Sequence, residues 1–394
     1  MAGKRGRKSG EPIAAGQLQG FKYFRLVAEM FERLHTAGTI RDKAGNRELF
    51  FDQYALLLLT YFFSPVVDSL RGLQQITTLT KVQKLCGVRP TSLGALSEAT
   101  QVFDARLLEP IIADLAEQAL GQGRGSLPSA HEAALAGLTV IDGSLLPALS
   151  RMAWALWQDA THRAAKMHVA FAVFPAAPVQ VSVTAGIGSE RAEWRRIAQP
   201  GGFYVADRGY ADYSLFRELD ALGCRFVVRV QENAVYEVAQ ERPLSAVDRA
   251  AGVLRDVTLR RLGTEKHNSL LDHPLRLVQV QGTSPEQIWV LVTNALDLPA
   301  ELVMQAYRYR WQIELFFRWL KCVLGCRHLL SQSQNGVTLQ VYMAIIASLL
   351  ISLWTGTKPT KRTFEMLCLH LAGWASADEL DRHLDKLITQ HQPP

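Results

Sequence analysis

Between residues 138 and 230, short strand-like runs alternate with helix-like stretches, and this rhythm limits the fold more than any other feature. Leu138-Thr-Val-Ile141 stops at Asp142, and Phe203-Tyr-Val-Ala206 stops at Asp207. Phe226-Val-Val-Arg-Val230 is a third run of the same kind. Such runs are rich in β-branched and aromatic residues and too short for helices, which is how buried strands read. Residues 166–174 and 179–184 add two more strands, the second setting Val181 and Val183 against polar neighbours. Residues 189–197 and 213–222 read as helices between them. Strands and helices alternating along the chain predict an α/β core with a mixed sheet.

The flanking regions have different character. Residues 21–120 read as helical, with apolar runs at 54–63 and 107–120, and turns at Pro65, Gly87 and Pro90. The glycines from Gly121 to Gly125, followed by Pro128, mark a boundary. Residues 231–295 hold β-like runs at 253–259, 275–280 and 288–293 and no clear helix, so they read as a β-rich insertion. Pro299 then opens what reads as one long helix to Leu324, and the remainder is helical. The expected organisation is a basic tail (1–20), a helical N-terminal domain (21–127), a first core segment (128–230), the insertion (231–295), a final core helix (296–330) and a helical C-terminal region (331–394).

At 394 residues the chain has room for two or three domains, and 48% hydrophobic with 20% charged residues excludes wholesale disorder. The longest apolar stretches, 54–67 and 344–354, fall short of the roughly 20 residues that span a bilayer, so no membrane segment is expected. No apolar segment follows the basic start as in a secretory signal. The five cysteines (86, 224, 322, 326, 368) form no C-x-x-C pair, which fits a reducing compartment and a cytoplasmic location. Net charge is +6, but Lys4, Arg5, Arg7 and Lys8 of the tail account for four of those charges. Charge thus permits a polyanionic partner without establishing one.

Chemistry enters where three acids fall into a pattern. Asp142 and Asp207 end predicted core strands, where ligand sites of open α/β sheets collect. A strand-end aspartate alone is usually a turn former. The helix after Pro299 supplies Glu314. At ~100° per residue, Tyr307, Arg310, Glu314 and Lys321 fall within about 60° on one face, and Arg318 extends the stripe. Ile313, Leu315, Phe316, Phe317, Trp319 and Leu320 form the apolar face that must be buried. Arg310 and Glu314 alone would be an ordinary i,i+4 ion pair. With two aspartates added, the set suits two divalent cations held by carboxylate oxygens and phosphates gripped by Arg and Lys.

The spacing Tyr307-x₂-Arg310-x₃-Glu314-x₆-Lys321 resembles the Y-R-E-K signature of the IS-four type of bacterial insertion-sequence transposases, which have a DDE active site. Asp142-Gly-Ser144 and Ala206-Asp-Arg-Gly-Tyr210 resemble that family's first and second aspartate motifs, and Ser333-Gln-Asn-Gly336 adds to the likeness, which runs from about 138 to 355. The resemblance implies a ribonuclease-H-like core interrupted by a β-rich insertion, which the 107-residue interval between Asp207 and Glu314 accommodates. It implies that Asp142, Asp207 and Glu314 bind two Mg²⁺ (or Mn²⁺) ions. Arg310, Lys321 and Tyr307 would contact phosphate. The implied activity is cut-and-paste transposition: cleavage of transposon ends, through a hairpin, and strand transfer into target DNA. The implied partners are double-stranded terminal repeats, target DNA and a second copy of the chain, with the helical domain 21–127 as a DNA-binding region. Competing readings are a DDE nuclease without strand transfer and a DNA-binding protein with an idle core.

Other residues carry weaker signals. Trp289 stands where some relatives stack a flipped base, though a strand tryptophan filling the insertion's core reads equally well. Arg208 and Arg318 are further candidate DNA contacts. Lys166 and His168 alternate onto one side of a strand and could face DNA, but a structural histidine is the plainer reading. Cys322 and Cys326, one helical turn apart, read as ordinary buried thiols. Arg191, Arg195 and Arg196, like Lys358, Lys361 and Arg362, read either as duplex-binding or as solvated faces.

Overall fold

The computed structural model describes residues 28–390, apart from 38–41, 43–44, 65, 123–129, 160, 265–272, 285, 327, 356–357 and 359. The basic tail, Pro65 and most of the glycine-rich boundary therefore lie outside the described residues. The chain divides into two compact units, one made of residues 120–318 and the other of 1–119 with 319–394.

The 120–318 unit is built on a nine-stranded sheet in the order β3-β2-β1-β4-β5-β9-β8-β7-β6. β1 (Leu138–Ala148), β2 (Arg163–Ala172) and β3 (Ala177–Ala185) form an antiparallel meander. β4 (Phe203–Ala206) and β5 (Arg225–Val230) then add in parallel beside β1. Helix α1 (Glu190–Ile197) connects β3 to β4, and α2 (Tyr213–Ala221) connects β4 to β5. Three antiparallel strands followed by two parallel ones in the order 3-2-1-4-5 is the ribonuclease-H-like sheet that the sequence led one to expect.

Capping and packing explain why these residues take these forms. Ser189 and Asp212 cap α1 and α2 by accepting the N–H groups of Ala192 and Leu215. Every residue of β4 is buried, as a parallel strand covered on both faces requires. Trp194 of α1 is wholly buried among Tyr204, Tyr210 and Ile141, and Phe216 of α2 stacks on Phe226 of β5 with ring centroids 4.8 Å apart. Side chains of this size each contribute about 1.5–3 kcal/mol on burial.

The insertion does not form a separate body. β6 (Tyr236–Glu241), β7 (Val253–Leu262), β8 (Leu275–Gln281) and β9 (Ile288–Thr293) extend the core sheet, because β9 pairs antiparallel with β5. It also contains a helix absent from the sequence reading, α3 (Ala246–Ala251), started by a Ser245/Asp248 capping box and ended by Gly252 at φ 94°. Arg276 of β8 is 1% exposed and forms a two-pronged ion pair with Asp256 of β7, at 2.7 and 2.6 Å. Its remaining nitrogen donates to the carbonyl of Leu298, just ahead of the next helix.

The helix expected from Pro299 to Leu324 is instead two: α4 (Ala300–Tyr309) and α5 (Trp311–Cys322). At the junction Arg310 N–H bonds to Tyr307 O and Ile313 N–H to Arg310 O, so the backbone tightens into three-residue steps. Apolar periodicity runs on unbroken through this point, which is why the sequence hid the break. The apolar face of α5 is buried as expected at Ile313, Phe316, Phe317, Trp319 and Leu320, but Leu315 is 41% exposed. Leu315 lies at the edge of the stripe next to Arg318, itself exposed.

The other unit is helical, with helices at Phe51–Phe63, Leu93–Val102, Gln334–Thr355, Lys361–Leu371 and Ala377–Gln390 among others. Asn335 donates to the carbonyls of Thr100 and Phe103 and accepts from the N–H of Ala105, tying the start of one helix to the end of another. A Cβ at Gly336 would stand 2.2 Å from Ser331 Oγ and 2.8 Å from Thr100 Cβ, so that approach requires glycine. Gln334–Thr355 corrects the expectation about apolar length: with a mean hydropathy of 2.0 it is long and apolar enough to cross a membrane. Yet 83% of its apolar window is buried inside the protein, as in a core helix.

Candidate active site

Sheet register places the two aspartates side by side. Ile141 pairs with Ala206 across the parallel β1/β4 ladder, so Asp142 and Asp207 follow side by side. Asp207 lies just past β4, but Asp142 is inside β1, which does not stop there as its apolar run suggested and continues along β2 to Ala148. Strands there run about 4.8 Å apart. Asp142 Oδ1 accepts the N–H of Gly143 at 2.8 Å, and Asp207 Oδ1 accepts the N–H of Arg208 at 2.7 Å.

The α4/α5 junction brings the remaining groups. The Tyr307 hydroxyl donates to Asp207 Oδ1 at 2.8 Å. The Arg310 guanidinium lies 2.6 Å from Glu314 Oε1 and 3.8 Å from Asp142 Oδ2, with its carbon 5.7 Å from the centre of the Tyr307 ring. Three acids from β1, the end of β4 and α5 are thereby joined through one phenol and one guanidinium. Trp289 of β9 packs edge-on against Tyr307 with centroids 5.3 Å apart, and the Arg229 guanidinium lies 5.6 Å from the Trp289 ring centre.

The two aspartates differ electrostatically. Burial pushes the Asp142 carboxyl up to about 7; the Gly143 N–H and Arg310 oppose this, and Glu190 and Asp207 add to it. Burial also acts on Asp207, but there the Arg208 N–H, the Tyr307 hydroxyl, Arg310 and Arg229 outweigh it and hold the pKa below the ordinary value. The Tyr307 hydroxyl is raised, by burial first and by the charge of Asp207 second.

Among the described residues, no three His, Cys, Asp or Glu side chains stand ready as a metal-ligand group. Arg310 engages Glu314, and Tyr307 engages Asp207. The donor set nevertheless fits a hard cation. Asp142 is a half-buried carboxylate whose neighbours undercompensate its charge, and a divalent ion bound through oxygen would correct that imbalance.

Not every sequence candidate gathers here. Arg208 and Arg318 are exposed, and Lys321 lies on α5 beyond residue 318, where the chain passes into the other unit. Arg191, Arg195 and Arg196 are taken up by acids: Arg195 by Glu218 at 2.7 Å, Arg196 by Glu193 at 3.0 Å and Arg191 by Asp212 at 3.5 Å. Cys326 is buried, but Cys322 is exposed, contrary to the reading of both as buried thiols. The sequence reading missed two neighbours of the site. Arg229 lies inside the apolar run 226–230, which was read only as a strand. Glu190 looked like an ordinary first-turn acid of α1, favourable to the helix dipole.

Asp142 within β1, Asp207 just past the end of β4 and Glu314 of α5 are thus gathered around Arg310 and Tyr307. Residues 134–350, more than half of the chain, match the model of the transposase DDE domain, and the chain belongs to that family. It is similar to transposase y4zB of Sinorhizobium fredii, 31% identical over 54% of this chain and 60% of that one. It is also similar to a transposase for insertion sequence element IS5377 of Geobacillus stearothermophilus, 26% identical over 57% of this chain and 58% of that one. The matches thus span under two thirds of these relatives' own lengths. Among solved structures, piggyBac transposase in a synaptic complex with hairpin DNA matches at 13% identity and a TM-score of 0.43, covering 95% of this chain and 84% of that one.

Proposed function

We propose that the protein is a DNA transposase that cuts the ends of an insertion sequence and joins them to target DNA, with Asp142, Asp207 and Glu314 as its catalytic acids. The observation that carries this is the convergence on Arg310 and Tyr307 of acids from three separate elements, β1, the end of β4 and α5. Family membership supports the reaction class.

The chain's own groups divide the work. Arg310 lies 3.8 Å from Asp142 and 2.6 Å from Glu314, and a phosphate entering the site is the natural competitor for its guanidinium. Tyr307 keeps Asp207 oriented and ionised. Two Mg²⁺ or Mn²⁺ ions held by the three carboxylates would polarise the phosphodiester and acidify the attacking water. Water attacks phosphorus and the P–O3′ bond breaks. The freed 3′-hydroxyl attacks the opposite strand, displacing that strand's flanking 3′-oxygen and closing a hairpin. A second water opens the hairpin and frees the 3′-hydroxyl again, which then attacks the target, each step an in-line displacement. Trp289 offers an aromatic face beside Tyr307 for a base extruded at the hairpin. Lys321, Arg318 and Arg208 are assigned to the DNA backbone, and two copies of the chain pair the element ends.

The test is Mg²⁺-dependent cleavage and joining of the flanking element ends by wild type and by Glu314→Gln. Joined products from the wild type and neither cutting nor joining by the variant are expected. Undiminished cutting by Glu314→Gln overturns the assignment.

A further inference from the structure

Beside Asp142 stands a polar cluster that this reaction scheme leaves unexplained. A Cβ added to Gly143 would meet Glu190 Oε1 at 3.4 Å, Lys166 Cδ at 3.4 Å and His168 Nδ1 at 3.5 Å. A Cβ added to Gly209, two residues past Asp207, would meet Glu190 Oε2 at 3.1 Å. The Glu190 carboxylate is therefore held between Gly143 of β1 and Gly209 beyond β4, one oxygen toward each glycine. Lys166 Nζ neutralises it from 3.3 Å and also donates to Gly188 O.

His168 supplies an independent sign of a missing partner. It pairs across strands with Gly143 and is 0% exposed. Its Nε2 lies 2.8 Å from Thr184 Oγ1, whose hydroxyl hydrogen is spent on the Ala185 carbonyl, so Nε2 is the donor. That leaves Nδ1 as a bare lone pair, and it has no hydrogen-bond partner. A buried acceptor beside a carboxylate, without a donor of its own, calls for a ligand that brings hydrogens. A hydrated divalent cation brings them: Mg²⁺ gives up its water reluctantly and is held as much through that water as through direct oxygens.

We infer that Glu190 and His168 form the outer wall of the cation site at Asp142, accepting hydrogen bonds from water on the ion, and that Lys166 occupies Glu190 until the ion arrives. The inference rests on Asp142 belonging to the cation site. Glu190 is then a charged positioning residue of the reaction, and Lys166 is a competitor of the ion rather than a partner of the fold.

The two halves of one ion pair should consequently respond with opposite signs. The full chain without DNA is titrated with Mn²⁺, and free ion is read by its electron paramagnetic resonance signal. Glu190→Gln, which preserves size and hydrogen bonding, is expected to weaken Mn²⁺ binding by roughly tenfold, as loss of an outer-sphere carboxylate does. Lys166→Met is expected to tighten it. A plain structural salt bridge gives weaker binding for both variants or a change for neither, and either result overturns the inference. Thermal melting of both variants shows that the comparison is between folded chains. Asp142→Asn separates the two levels of argument. If it leaves Mn²⁺ binding intact, the active-site assignment itself fails; if it abolishes binding while Glu190→Gln has no effect, only the outer wall is refuted.

Discussion

Removing one member of the buried Arg276–Asp256 pair should damage this protein more than removing both. The two side chains are 1% and 4% exposed, and their contact is the parallel two-pronged form at 2.7 and 2.6 Å. Asp256→Ala leaves the Arg276 guanidinium buried with only the Leu298 carbonyl and a cationic neighbour, Arg242, which itself lies 3.3 Å from Asp256. An uncompensated buried charge of this kind costs about 3–5 kcal/mol. For a unit the size of residues 120–318, each kcal/mol shifts the melting temperature by roughly 2–4 °C, so Asp256→Ala should melt about 6–20 °C lower. The apolar double replacement Asp256→Leu/Arg276→Met removes the charge and fills the space, and should recover most of that loss. The assay is calorimetry of wild type, both single variants and the double variant, following the transition of this unit. A double variant as unstable as the singles, or an Asp256→Ala variant within 2 °C of wild type, refutes the account. There is also a functional reading. Arg276 fastens Leu298, and α4 begins two residues later, so even a well-folded double variant should cleave more slowly if this tether sets where Tyr307 and Arg310 stand.

The metal-free chain should lose stability as pH rises from about 4 to about 7, because folding holds Asp142 protonated up to about 7 while the unfolded side chain ionises near 3.9. Asp142→Asn removes that slope, so melting of the two proteins in chelator at pH 5 and pH 8 should show the variant gaining on wild type, and parallel profiles would contradict this. Asp207 has the opposite sign: its lowered pKa contributes stability above the unfolded value that is lost on acidification. Tyr307→Phe deletes a hydrogen bond to a charged acceptor and should cost about 1.5–3 kcal/mol at pH 7 and less at pH 3, a difference read by urea unfolding. Trp289→Ala should slow hairpin formation on duplex ends more than the first nick, as seen on denaturing gels; equal slowing of both steps would assign Trp289 to packing alone.

Much of the candidate site was legible because its aspartates directly follow short, wholly apolar runs. Leu138–Ile141 and Phe203–Ala206 announce themselves by composition, and parallel pairing of their last residues then makes Asp142 and Asp207 neighbours. The helical stripe located Glu314, Arg310 and Tyr307 for a similar reason, since a 3.6-residue period survives one tight turn. What periodicity cannot register is a change of hydrogen-bond step that leaves the pattern of apolar residues intact, so the break at Arg310 was invisible. Likewise, nothing in the sequence 231–295 distinguishes a free-standing β segment from one that continues a sheet, because the distinction lies in whether the edge of β5 accepts β9. Glu190 escaped notice because its local role, an acid after a serine cap, already accounts for it.

The tight turn at Arg310 has a physical consequence for how such a site can work. In an unbroken helix, Arg310 and Glu314 would form a surface pair one turn apart, worth a few tenths of a kcal/mol. Here the chain pivots at Arg310, the guanidinium is only 16% exposed, and it faces Asp142 of β1 as well as Glu314. A cation so placed neutralises two acids that would otherwise repel across the gap, which lets the carboxylates converge before any metal is present. The same placement means that Arg310 and a divalent ion compete for the same oxygens, while Arg310 and a phosphate attract. On the proposed reading, metal and DNA should therefore each tighten the binding of the other, each relieving the charge imbalance that the other creates, and the contact that must yield is the 2.6 Å one between Arg310 and Glu314.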